Sequence, residues 1–129
     1  MSQLDYDKSK AIYKQIIEDF QKQLIRGTLN PGDKIPSQRD YALKVSVNPN
    51  TVQRAYQELE RIGLTETIRG QGTFVKADTA MITEIRQEMA DDILDRFFAE
   101  MNSLGYSKEQ ITEIVNHRLM EMKGAISND

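Results

Sequence analysis

Apolar residues recur at helical spacing along most of this chain, and the pattern breaks to a two-residue period only once, near the middle. Ile12, Ile16, Ile17, Phe20, Leu24 and Ile25 define the buried face of a helix running from about Ser9 to Arg26, with Gly27 as its stop. Asn30-Pro31-Gly32-Asp33 marks a turn within the connection from Leu29 to Ile35. Ser37 then caps a short helix carried by Tyr41, Ala42 and Val45, and Ser46-Val47-Asn48 leads into the next.

That next helix is the most sharply bounded. Pro49 fits a first helical position, where a missing N–H costs nothing, and Asn48 can accept from the free donors of the opening turn. Val52, Ala55, Tyr56, Leu59 and Ile62 follow at i, i+3, i+4, i+7 spacing, and Gly63 ends the run. At 100° per residue, Asn50, Gln53, Arg54, Gln57 and Arg61 fall on the opposite face, which holds amides and guanidinium groups but no carboxylate. Leu64 to Ile68 and Thr73 to Val75 are β-prone, and Arg69-Gly70-Gln71-Gly72 between them is a hairpin signal.

A capped helix, a short turn, a second helix and a hairpin form a winged helix-turn-helix. The expected fold is mainly α with a small β-hairpin wing, as an N-terminal winged helix-turn-helix over residues 1–78 and a C-terminal α-helical hairpin over 79–129. In such a domain Asn50, Gln53 and Arg54 face base edges, since amides pair with adenine and guanidinium with guanine or phosphate. Thr51 can donate to a phosphate near the helix start, and Arg39 lies in the first turn of the preceding helix, close to the DNA backbone. Arg69 or Gln71 can enter a minor groove, because Gly70 places no side chain in the way.

Four stretches, "IYKQI", "LNPGDKIPSQRDYA", "VNPNTVQRAYQELERIGL" and "RGQGTFV", occur in an order that resembles the DNA-binding domain of GntR-family bacterial transcription factors from Ala11 to Val75, about half the chain. The resemblance implies that Ser37, Arg39, Asn48, Asn50, Thr51, Gln53, Arg69 and Gly70 stand at positions that touch DNA. Ala11 replaces a common Pro, and Ile35 and Tyr41 replace common Leu residues. Pro49 stands where some members carry a base-reading Arg, which implies a different operator.

Beyond Asp78 the helical period returns through Met81, Ile82, Ile85, Met89, Ile93, Phe97 and Met101 and ends at Asn102-Ser103-Leu104-Gly105. Ser107 and Gln110 form a capping-box pattern that opens a last helix through Ile111, Ile114, Val115, Leu119 and Met122. Leu94, Phe97, Phe98 and Met101 widen the apolar stripe beyond what two helices can hide from each other. A second copy of the chain is the simplest cover, with Ile85, Met89, Ile93, Phe97, Met101, Ile111, Val115 and Leu119 as the expected interface. Within the resemblance a two-helix tail is similar to the YtrA type, whose short C-terminal segment serves dimerisation. Two reading helices about a two-fold axis match a palindromic operator with half-sites roughly 34 Å, or a multiple, apart.

Charge changes the picture only when divided. The net charge is −3, but residues 1–78 hold 12 Lys and Arg against 10 Asp and Glu, whereas residues 79–129 hold 5 against 10. The acid is therefore in the tail, which either stays away from a duplex or repels it, so global charge argues neither against DNA binding nor for it. With no Cys there is no disulfide or thiolate chemistry, which fits a reducing cytoplasm. No signal-like segment opens the chain and no run is long enough to span a bilayer, so a cytoplasmic protein without a membrane partner is expected.

Competing chemistry finds little support. Gly70-Gln71-Gly72 is followed by no helix and no Lys-Ser/Thr pair, unlike a phosphate loop. His117 is the lone His and reads as exposed; Asp91, Asp92 and Asp95 read as the wet face of a helix rather than a metal site. The Met residues read as packing rather than a ligand pocket. No nucleophile has a base and no cofactor motif is present, so no enzyme activity and no cofactor are expected. A protein-interaction module, with the acidic tail docking a partner, is the alternative; the carboxylate-free face from Asn50 to Gln57 favours DNA. A small-molecule effector acting between tail and winged domain would fit a switch, yet no convergent polar residues mark its site.

Overall fold

The Ser37 hydroxyl accepts the Asp40 N–H at 3.1 Å, and the Asn48 side-chain carbonyl accepts the Asn50 N–H at 2.8 Å. These two caps set where the second and third helices begin. The computed structural model describes residues 10–127, with side chains described through Gly124. The order is α1 (Ile12–Arg26), β1 (Lys34–Ile35), α2 (Gln38–Val45), α3 (Pro49–Arg61), β2 (Thr65–Ile68), β3 (Gly72–Val75), α4 (Thr79–Ser103) and α5 (Lys108–Ser127). The chain forms two compact units, one ending at Gln87 and one beginning at Glu88, so the division falls inside α4.

In the first unit α1 and α2 both pack on α3. Ile16, Phe20 and Leu24 of α1 meet a core completed by Val52, Ala55 and Leu59 of α3, with Ile35, Leu64, Val75 and Ala77 around it. Each large side chain of this kind contributes about 1.5–3 kcal/mol when fully buried. Phe20, Tyr41 and Tyr56, one from each helix, form an aromatic cluster with centroids 5.2, 5.8 and 6.0 Å apart. The α2–α3 turn is tight enough to hold Ser46 at φ 58°, the one non-glycine among the described residues with positive φ. Gly63 (φ 85°) ends α3 in the left-handed conformation and Leu64 N–H returns to the Leu59 carbonyl, as the sequence reading expects.

The sheet has the order β1-β3-β2, all antiparallel, with Thr65 opposite Val75, Ile68 opposite Gly72 and Lys34 opposite Phe74. The wing hairpin is thus one strand larger than the sequence reading expects. The turn at Asn30–Asp33 does form, with Asn30 N–H donating to the Asp33 carboxylate at 2.9 Å, but the next two residues join β3. A two-residue strand is too short to carry any hydrophobic period. The helix expected from about Ser9 starts at Ile12, and Ser9 lies outside the described residues. Ile62, expected on the buried face of α3, is only half-buried.

The first turns of α4 belong to the first unit, opened by Asp78, whose carboxylate accepts the Met81 N–H at 2.8 Å, and anchored by buried Ile85. In the second unit the rest of α4 turns at Gly105 (φ 88°) into α5. Ser107 and Gln110 exchange both bonds of the expected capping box, at 2.8 and 3.2 Å. Among the described residues α4 and α5 are not among the element pairs whose backbones run close together along their length. Ile111 is buried, while Leu94, Phe98, Ile114, Met120 and Met122 are exposed.

Candidate nucleic-acid interface

A reading helix must be held rigidly from behind so that its front can be polar. Val52, Ala55 and Leu59 are completely buried and Tyr56 nearly so, which turns Asn50, Gln53, Arg54, Gln57 and Arg61 outward to solvent with Thr51 half-buried beside them. The exposed front of α3 therefore matches the periodicity argument residue by residue. Tyr56 adds a polar tether, its hydroxyl donating to the Pro36 carbonyl at 2.6 Å. That bond fixes α3 against the segment that launches α2.

The five outward residues differ in what they have free. Arg61 pairs with Glu58 one turn earlier, and that hydrogen bond holds the Glu58 carboxyl below the usual carboxylate range. The sequence reading placed Arg61 on a face without carboxylates. The i, i+3 geometry brings Glu58 around to it. Arg54 is held differently: its guanidinium carbon lies 3.8 Å from the centroid of the Tyr13 ring on α1. Asn50, Thr51 and Arg54 line one notch with Ala11, Ile12 and Tyr13, about 350 Å³ in volume. Gln53 and Gln57 remain exposed.

On α2, Arg39 is exposed in the first turn, where the sequence placed it. Ser37 and Asn48 both spend their side-chain oxygens as caps. The Ser37 O–H and the Asn48 amide N–H groups are still available as donors.

The wing turns at Arg69-Gly70, where the Ile68 carbonyl accepts the Gln71 N–H at 2.9 Å and Gly70 takes φ 80°. Arg69, Gly70 and Gln71 are all exposed at the tip. Thr67 and Thr73 pair their hydroxyls across the hairpin at 3.1 Å. The Glu60 carboxylate accepts the Thr67 N–H at 2.9 Å, linking the last turn of α3 to the wing. Sequence reasoning missed this strut, since nothing in a surface Glu announces a partner on the next element. It also missed Lys34. On β1 that side chain lies across Gly72, where a Cβ would stand only 2.7 Å from Lys34 Cε, so a further cation sits against the wing.

Of the residues expected at a subunit interface, Ile85 and Ile111 are buried. Met89, Phe97, Met101 and Val115 are half-buried, and Ile93 and Leu119 are 55% and 54% exposed. Among the described residues no group of His, Cys, Asp and Glu gathers into a metal site, and no helix is long and apolar enough to cross a membrane. His117 is exposed and pairs with Glu121 at 2.7 Å.

Comparison with known proteins agrees with this geometry. The profile described as "Bacterial regulatory proteins, gntR family" matches residues 12–75. The chain is 43% identical over 108 residues to the uncharacterized HTH-type transcriptional regulator YhcF of Bacillus subtilis, covering 84% of this chain and 89% of that one. It is 37% identical to the HTH-type transcriptional repressor YtrA of the same organism, over the whole of both chains. A solved GntR family transcriptional regulator from Listeria monocytogenes superposes with a TM-score of 0.76 at 39% identity, covering 87% of this chain and 98% of that one.

Proposed function

The chain belongs to the GntR family of bacterial regulatory proteins, as a DNA-binding transcriptional regulator, and from that premise we propose that it works as a homodimeric repressor on a palindromic operator. The observation that carries the reading is the front of α3, where amide and guanidinium groups stand exposed on a helix whose back is sealed into the core. In this reading residues 1–78 bind the duplex and 79–129 hold the two copies together.

Asn50, Gln53 and Arg54 enter the major groove with Thr51 at its edge. Arg39, the Ser37 hydroxyl and the Asn48 amide take phosphate oxygens on either side of the α2–α3 turn. The wing tip, Arg69-Gly70-Gln71, follows the adjacent minor groove. Repression is by occupancy, and the full-length relative named as a repressor supports that sign. The exposed residues of the second unit, Ile93 and Leu119 among them, supply the apolar face that a second copy covers. The protein acts where its duplex is, in the cytoplasm.

The test is a gel shift of Arg39→Ala and Gln53→Ala on the duplex upstream of the protein's own gene. Loss of affinity in the first and altered base preference in the second are expected. Unchanged binding and unchanged preference in both would overturn the contact assignment. Affinity should also fall with salt, log K dropping by roughly 0.9 per tenfold rise in salt for each neutralised phosphate.

A further inference from the structure

Arg54 sits on the reading face, yet it is not extended from it. Its guanidinium carbon lies 3.8 Å from the centre of the Tyr13 ring, so the side chain is drawn back along the protein surface toward the start of α1. A guanidinium that reads guanine has to reach outward with its fork free to approach a base edge. One stacked on a ring has one face covered, but its in-plane N–H donors still point sideways. Arg54 also lines the notch it shares with Ala11, Ile12, Tyr13, Asn50 and Thr51, beside the first turn of α3. The polar side-chain groups of the lining residues are the Arg54 cation, the Thr51 and Tyr13 hydroxyls and the Asn50 amide.

We infer that Tyr13 is a positioning residue that holds Arg54 for a DNA backbone phosphate rather than for a base. The inference rests on the proposed DNA-reading face and refines it, moving Arg54 from the residues that choose sequence to those that set affinity. The ring acts through its π face, which attracts the cation and restricts its rotamers before DNA arrives. Tyr13 is the contribution of α1 to binding, although the rest of that helix serves the core.

The experiment measures binding of Arg54→Ala, Tyr13→Phe, Tyr13→Leu and the Tyr13→Leu/Arg54→Ala double variant. Each is titrated at several salt concentrations on the natural upstream duplex and on a scrambled duplex of equal length, and thermal midpoints are recorded alongside. Arg54→Ala should weaken both duplexes by the same factor, about tenfold, and reduce the salt slope by roughly 0.9. Tyr13→Phe keeps the ring and should bind as the parent does. Tyr13→Leu keeps apolar bulk without the π face and should lose about two- to fivefold on both duplexes, with no further loss once Arg54 is absent.

If Tyr13→Leu binds normally while Arg54→Ala does not, or if its effect persists in the Arg54→Ala background, positioning by Tyr13 is wrong. If Arg54→Ala changes the preference for natural over scrambled duplex, Arg54 reads bases and the inference fails. If Arg54→Ala has no effect while Arg39→Ala and Gln53→Ala do, the inference fails but the reading face stands. Only when all of these variants bind as the parent does is the reading face itself lost.

Discussion

The Tyr56 hydroxyl donates to the Pro36 carbonyl at 2.6 Å, tying the middle of the reading helix to the residue just before the cap of α2. Its neighbour Tyr41 is as deeply buried in the same aromatic cluster, but its hydroxyl has no partner among the described residues. The two tyrosines should therefore respond oppositely to loss of the oxygen. Tyr56→Phe deletes a part-buried hydrogen bond and should cost about 0.5–1.5 kcal/mol, whereas Tyr41→Phe removes an unsatisfied group and should be neutral or stabilising. Urea midpoints of the two variants measure this directly. Equal losses in both would show that Tyr41 also has a partner in solution.

The same pair sets an alkaline limit. Burial raises both phenol pKa values above the ordinary value, with Asp19 adding to the effect at Tyr41, and Tyr41 and Asp40 adding to it at Tyr56. A raised pKa means that the fold favours the neutral form, so its stabilisation is fully present below about pH 10, the value in the unfolded chain, and is lost as pH rises above it. Stability measured from pH 8 to 11 should be flat and then fall, with the fall shallower in the Tyr41→Phe/Tyr56→Phe double variant. An equal fall in parent and double variant would assign the alkaline loss to other groups.

Asn48 has two separable duties. As a cap it offers an oxygen to the Asn50 N–H at 2.8 Å, and as a proposed DNA contact it offers amide hydrogens. Asn48→Ala loses both and should destabilise by about 1 kcal/mol. Asn48→Asp keeps the acceptor, favours the positive end of α3 and should retain stability, but it places a negative charge where phosphate is expected. Near-parent melting with sharply reduced DNA affinity is the expected result for Asn48→Asp. Parent-like affinity would take Asn48 off the duplex.

Much of this interface is legible in the sequence because it is written in local backbone chemistry. Ser37, Asn48-Pro49, Gly63 and the Ser107/Gln110 box each satisfy free groups within a few residues, so residue type alone locates them. The outward face of α3 follows from a period of 3.6 and a sealed back. What stays hidden depends on distant segments: the Glu60 carboxylate under Thr67, Tyr13 against Arg54, and the short β1 strand that lays Lys34 over Gly72. Periodicity also says that Ile85 is inward-facing without saying toward what. In the structure Ile85 is buried, and it falls in the unit that ends at Gln87.

The wing glycines are not equivalent. Gly70 has φ 80° and open space around it, so Ala there carries only the left-handed penalty, about 1–2 kcal/mol. Gly72 has φ 124°, outside the region that any L-residue adopts comfortably, and a Cβ would also push against Lys34. Gly72→Ala should cost about 1–3 kcal/mol and displace the Lys34 ammonium from the wing. Urea titration ranks the two, and DNA binding by Lys34→Ala isolates the contribution of the cation. If Gly72→Ala is the milder change, the hairpin relaxes more freely than this backbone implies.

The exposed face of the second unit gives the most decisive test of assembly. Ile93 and Leu119 are more than half exposed, so replacing either with Glu removes little from the folded chain yet places a charge on the surface proposed to meet a second copy. Leu119→Glu should stay folded by circular dichroism and become monomeric by light scattering at concentrations where the parent is a dimer. Each reading head is intact in such a variant, so binding to a single half-site should be unchanged. Affinity for the two-half-site operator should fall by roughly a hundredfold, because the second head no longer arrives tethered to the first. A Leu119→Glu protein that remains dimeric, paired with an Ile93→Glu protein that does too, would move the subunit contact off this face and leave its exposed apolar residues to another partner.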